Sequence, residues 1–235
     1  MVNSDDFECL RDLVSDSTRL MTLAPFLESE AYRSERCARQ QHRVALAREL
    51  GCDVRRPWIL SVAMMRHCDK LASFQRLGCG LARLRDVDWQ LLVVGEGEAR
   101  RQVEDALAEA GRVFYAGARC QSSLPNFYVA ADVLAWPAVN EAYGMALLEA
   151  QASGLPVVAG RERGVPDIVR DGETGLLTSP GDVDEFAAAI RRLLSDENLR
   201  QRMSEAAADN VANRHDISLA ARILDRALAI SRTAQ

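Results

Sequence analysis

Glu141 and Glu149 stand eight residues apart in the stretch NEAYGMALLEAQASGLPVVAG, residues 140–160, with Gly144 between them and an almost unbroken apolar run around the second. Paired carboxylates doing general acid and base work must flank one bond, within roughly 5 to 10 Å of each other. Eight residues of continuous helix would separate them by about 12 Å along the axis. The spacing therefore points to two groups that grip different parts of an extended ligand, unless Glu141 lies outside the helix and folds back over its start. Glu149 is alone among Met145, Leu147, Leu148, Ala150 and Ala152, and an unpaired buried charge is strongly disfavoured. Sugar hydroxyls would satisfy it, and so would solvent or a basic residue such as Arg163.

Gly144 falls in the first turn of the helix expected over residues 143–153. Unpaired N–H groups and the helix dipole attract a phosphate there, and glycine lets it come close. Other candidates follow short aliphatic runs. MRHCDK offers Arg66 and Lys70, GEGEAR offers Gly95 and Gly97, and GRERGVPD follows residues 156–160. The glycine pattern GxGxxG is not completed, because Arg100 occupies the third glycine's place. Bland readings compete with each: charged loop residues are usually just solvated, and short glycine turns recur in many α/β loops.

The elements that must position these residues alternate from Pro57 onward. Strands are expected at residues 58–64, 90–95, 112–117, 132–137, 156–160 and 175–179, with helices near 70–85, 98–110, 122–130, 143–153 and 183–195. This is the pattern of an α/β fold, a Rossmann-like doubly wound parallel sheet wrapped by helices. In such a sheet ligands bind beyond the carboxyl ends of the strands, where all the candidates above fall. Two further helices, roughly 197–213 and 217–232, close the chain. Residues 1–56 read differently, with one extended piece, TRLMTLAPFL, and one charged helix, EAYRSERCARQQHRVALAREL. They are too few for a second nucleotide fold, which needs on the order of 100 residues. The division expected is 1–56 and 57–235.

Composition narrows the function classes. A net charge of -5 with no basic block argues against a nucleic-acid partner. Six cysteines without a CxxC pair and three histidines without an HxH or HExxH set give no metal motif and suit free thiols in a reducing cytosol. No apolar run approaches a membrane span, and the first thirty residues lack the basic start and apolar core of a signal peptide. A cytoplasmic protein without a transmembrane segment is expected.

The block NEAYGMALLEAQASGLPVVAG followed by GVPDIVRDGETGLLTSPGD, residues 140–182, resembles the E-x7-E segment of retaining glycosyltransferases with the GT-B fold, family 4. ILSVAMMRHCDK, WQLLVVGEGEARRQVE, VFYAG and YVAADVLAWPA fall upstream in the family's order, so the resemblance covers about Trp58 to Ser195. It is weaker over the first fifty-six residues, where LAPFLESEAY looks like the interdomain connection.

The resemblance implies the carboxy-terminal, donor-binding half of a GT-B fold that uses a nucleotide diphosphate sugar and needs neither metal nor cofactor. Glu149 would hold the ribose hydroxyls and Glu141 would lie by the donor sugar. The backbone of Tyr143, Gly144, Met145 and Ala146 would touch sugar and phosphate, Arg66 and Lys70 would neutralise the leaving diphosphate, and Gly95 and Gly97 would line the site. Two departures stand out. Met64 occupies the place where the family has an arginine, with Arg66 following later, and the acceptor-binding Rossmann-like domain is not found in this sequence. A separate amino-terminal domain or partner subunit, or self-association through the apolar stripe of residues 217–230, is therefore expected. A non-catalytic nucleotide-sugar-binding module is the alternative reading, and a non-transferring relative such as an epimerase is a third.

Overall fold

The computed structural model describes residues 21–233; residues 18–20 of the expected extended piece lie outside them. Six strands, β1 (Trp58–Val62), β2 (Gln90–Val94), β3 (Val113–Gly117), β4 (Val133–Trp136), β5 (Val157–Gly160) and β6 (Gly175–Thr178), form one parallel sheet. Each lies within the run expected for it. β2, β4 and β5 are buried along their whole length, and β1 along all but its last residue. Burial on both faces is why these segments read as unbroken aliphatic runs rather than alternating ones.

The strand order is β3-β2-β1-β4-β5-β6. From β1 the chain steps outward to β2 and β3, then returns to β4 on the other side of β1 and steps away through β5 and β6. Because crossovers between parallel strands are right-handed, this reversal sends the connecting helices to opposite faces. α3 (Asp69–Leu81) and α4 (Arg100–Leu107) pack on one face, joined by α8 (Val183–Ser195). α5 (Leu124–Ala130) and α6 (Met145–Ala152) pack on the other, covered by α2 (Arg39–Leu50) and α9 (Glu197–Arg214).

Local chemistry places several boundaries away from the expected ones. The charged helix of residues 30–50 is interrupted: α1 (Glu30–Arg33) passes into a 3-10 segment, Ser34–Ala38, before α2 resumes. A short helix not expected from sequence, α7 (Val165–Ile168), follows β5 with Pro166 in its first turn, where a missing N–H costs nothing. α6 begins at Met145, two residues later than expected, because Gly144 adopts a left-handed conformation with φ 76°. The segment before α1 lies against the start of α10 (Ile217–Thr233): Leu27 N–H donates to the His215 carbonyl at 3.0 Å and Ile217 N–H to the Leu27 carbonyl at 2.9 Å. On α10, Ala220 is buried, whereas Ile217 and Leu224 are about half exposed.

α2 is fastened to the amino ends of the strands by one side chain. Arg43, buried, donates to the carbonyls of Val54, Ala130 and Arg56 and to Asp132 Oδ2, and its guanidinium stacks 4.3 Å from the Trp58 ring. Asp132 in turn accepts from the Trp58 N–H at 2.7 Å, so one carboxylate ties β1, β4 and α2 together. Arg39 Nη2 also donates to Asp132 Oδ1 at 2.6 Å, so the carboxylate keeps one cation when Arg43 is removed, while the carbonyls of Val54, Ala130 and Arg56 lose a donor. Arg43→Ala is expected to lower unfolding free energy by about 1–3 kcal/mol, the cost of leaving buried acceptors unsatisfied, read from urea denaturation with an unchanged m-value.

Candidate functional site

Four crest loops, following β1, β2, β4 and β5, rise at the carboxyl ends of the strands. Their backbone is held in sparsely populated conformations. Cys68, Ala138, Asn140 and Arg163, the non-glycine residues at positive φ among those described, all lie there. Such conformations cost on the order of 1–3 kcal/mol each and persist only where the surroundings impose them. Asn140 is one source of that imposition: its amide donates to Asp69 Oδ2 at 2.9 Å and its carbonyl accepts from Arg163 Nη1 at 3.2 Å. Three loops are thereby joined through one side chain.

Gly95 and Gly97 lie where two crest loops interlock. A Cβ at Gly95 would stand 1.9 Å from the Ala63 carbonyl oxygen, and one at Gly97 2.2 Å from that of Met65. The loops are laced by Met65 N–H to the Glu96 carbonyl and Ala99 N–H to the Met65 carbonyl, both at 2.9 Å. The absence of side chains at both glycines is thus accounted for by close approach of the chain itself, and this packing fixes the loop that carries Arg66.

Lys70 and Glu141 meet across the gap between β1 and β4. Lys70, the second residue of α3, forms an ion pair with Glu141 Oε2 and lies 5.5 Å from the centre of the Trp136 ring. Trp136, the last residue of β4, donates its indole N–H to the same carboxylate oxygen at 3.2 Å, and Phe74 packs edge-on against it with ring centres 5.1 Å apart. Trp136 was not anticipated from sequence; a tryptophan closing a strand just before a proline was the available signal. Arg66 is exposed and makes no ion pair among the described residues.

Glu141 lies outside the helix and curls over its start, with its Cγ 3.3 Å from where a Gly144 Cβ would stand. Gly144 is buried, Tyr143 and Ala146 are half-buried, and Met145 is exposed. The N–H groups of Gly144, Met145 and Ala146 find no hydrogen-bond acceptor among the described residues, leaving a helix start able to take an anion.

Glu149 neither faces open solvent nor reaches Arg163, which is engaged with Asn140. Its Oε2 accepts from the Tyr128 hydroxyl at 2.7 Å. Burial raises its carboxyl above the ordinary value of 4.5, opposed by hydrogen bonds from Tyr128 and Tyr32. Among the described residues no cation pairs with it. It forms part of the wall of a cleft of about 570 Å³ whose lining includes Phe26, Tyr32, Gln121, Pro125 and Met145. The tyrosines, like Trp136, escape sequence reasoning, because aromatic residues in an apolar context read as core.

The comparisons with known proteins bear on this crest directly. Residues 59–210 match the family described as glycosyl transferases group 1. The chain belongs to that family. A D-inositol 3-phosphate glycosyltransferase from Mycobacterium marinum is 33% identical over 226 residues, covering 90% of this chain and 46% of the relative. The chain thus spans about half the length of that protein. The Anabaena protein HepE in complex with UDP and glucose superposes with a TM-score of 0.81 at 18% identity, covering 97% of this chain and 62% of HepE. The carboxy-terminal domain of a glycosyl transferase group 1 protein from Francisella tularensis gives 0.66 at 22% identity, over 81% of this chain and 99% of that domain. As a group 1 glycosyltransferase fold, the sheet and helices are those of the GT-B class.

Gly144 tolerates little change at the start of α6. A methyl group there would lie 2.7 Å from Leu147 Cδ1 as well as pressing on Glu141, at a φ that alanine resists. Gly144→Ala is expected to lower stability by about 1–3 kcal/mol in urea titration.

Proposed function

We propose that this group 1 glycosyltransferase chain is the donor-binding half of a retaining enzyme that moves a sugar from a nucleotide diphosphate sugar to an acceptor. The observation that carries this reading is the division of charge along the crest. At one end stand Lys70, paired with Glu141, and the N–H groups of residues 144–146, which find no acceptor among the described residues, with the exposed Arg66 on the loop before α3. Glu149 lies in a cleft at the other, with no cation paired to it among the described residues. A diphosphate suits the first end, and a carboxylate that accepts hydroxyl protons suits the ribose at the second.

In transfer the bond between the sugar's anomeric carbon and the phosphate oxygen breaks, and negative charge develops on the leaving diphosphate. In this reading Lys70, Arg66 and the helix start at Gly144 meet it, the electrostatic contribution that usually dominates such steps. Glu141, held by Lys70 and Trp136, lies beside the sugar, and Tyr143 to Ala146 touch sugar and phosphate through their backbone. With these cations facing the diphosphate, we take the step to proceed without a divalent metal. Because the chain spans about half of its relative, the acceptor-binding part is assigned to a separate domain or subunit. The half-exposed Ile217 and Leu224 on α10 belong to the surface that would meet it or a second copy.

Glu149→Ala is expected to weaken sugar-nucleotide binding by about 1.5 to 3 kcal/mol, the worth of a hydrogen bond to a charged group, while leaving the fold intact. Wild-type affinity of the folded variant in calorimetry would remove Glu149 from the ribose. Lys70→Ala is expected to reduce affinity for a nucleoside diphosphate more than for the nucleoside, and Arg66→Ala likewise; equal losses for both ligands would indicate a folding defect instead.

The raised Glu149 carboxyl sets a sign for pH. The folded state holds its proton more tightly than the unfolded chain, so this group's contribution to stability is present at low pH and lost as pH rises through the raised value. Ligand affinity runs the other way. UDP-glucose, which carries no phosphate titrating near neutrality, is expected to bind less tightly as the pH falls from about 7 to about 5, and Glu149→Gln is expected to flatten that limb.

A further inference from the structure

Tyr128 is entirely buried and its one polar atom is spent on Glu149. Tyr32 reaches the same carboxylate from α1, its ring tilted against that of Tyr128 with centres 6.2 Å apart. Two phenols from separate elements thus converge on one glutamate. We propose that Tyr128, assisted by Tyr32, is a positioning device that keeps Glu149 ionised and turned so that its remaining lone pairs face the ribose hydroxyls. This inference rests on the donor-site reading above and adds the groups through which Glu149 acts.

The chemistry of the three groups fixes the direction of every hydrogen bond. Burial and the neighbouring carboxylate push the Tyr128 phenol well above its ordinary value, and burial followed by the same carboxylate pushes Tyr32 up to about 12. Both remain protonated donors wherever Glu149 titrates. The carboxylate must then accept. An ionised carboxylate offers about four lone-pair sites; the phenols occupy those on one side and leave others for the cleft that Glu149 borders with Gln121 and Met145. Without these donors its charge would be stabilised by no partner, because no cation pairs with it among the described residues. The ionisable groups bonded to it are Tyr128 from α5 and Tyr32 from α1, and Glu28 from the segment before α1 lines the same cleft; no group on β5 or α9 shifts it.

The test is calorimetric titration of the full chain with UDP, GDP and ADP. The tightest binder is then compared with its 2′,3′-dideoxy counterpart across the acid range. Tyr128→Phe is expected to lose about tenfold in affinity for the ribonucleotide, to lose little for the dideoxy form, and to move the acid limb of binding to higher pH. Tyr32→Phe is expected to do the same to a smaller degree, and it carries the test if Tyr128→Phe does not fold. Wild-type affinity with an unmoved acid limb in both variants would overturn the proposal, as would equal losses for the two nucleotides, which a packing defect alone produces. Failure of the underlying reading looks different: a folded Glu149→Ala chain that keeps its preference for the ribonucleotide would place Glu149 away from the ribose altogether.

Discussion

The reversal of strand order between β1 and β4 governs the rest of the molecule. Because β2 and β3 lie to one side of β1 and β4 to β6 to the other, the loops leaving β1 and β4 turn toward opposite faces and open a crevice between them. Arg66, Lys70, Glu141 and Gly144 lie on the loops and helix starts that follow these two strands. Lys70 on one side and Glu141 on the other close the crevice with an ion pair, buttressed by the Trp136 indole. At the opposite end of the strands Asp132 and Arg43 clamp β1, β4 and α2, so the crevice opens from a fixed base.

Fixing the base does not by itself fix the crest. The loops above it carry four strained non-glycine residues, and the strain is sustained by side-chain ties such as Asp69 to Asn140 to Arg163. Interlocked glycines at 95 and 97 let the loops after β1 and β2 share hydrogen bonds at a distance no side chain would permit. Preorganisation of this kind leaves a charged ligand less reorganisation to impose, which is where electrostatic stabilisation gains its strength.

Glu141 and Glu149 occupy different electrostatic surroundings. Glu141 is paired with a cation and an indole N–H, whereas Glu149, among the described residues, is served by two phenols, and burial raises its carboxyl. One chain reversal at Gly144 separates these settings. The residue before the reversal turns to the cationic bank, and the residue one and a half turns beyond it faces the cleft beneath Phe26 and Tyr32.

The sequence by itself determined the six strands, their parallel class, the main helices and the loops on which chemistry had to lie. Those features follow from local periodicity and from turn residues, which neighbouring positions in the chain are enough to specify. It also marked Glu149 and Gly144, because a carboxylate in an apolar run and a glycine at a helix start are locally anomalous, and Lys70 by its place just after a strand. Only the tertiary structure decided what those residues touch. Tyr128 lies twenty-one residues from Glu149 in the chain, and Lys70 seventy-one from Glu141. Whether an aromatic side chain is core filling or a hydrogen-bond donor to a buried carboxylate depends on which helix packs against which, and that packing is set by the strand order and by right-handed crossovers, neither of which is written in any local stretch of residues.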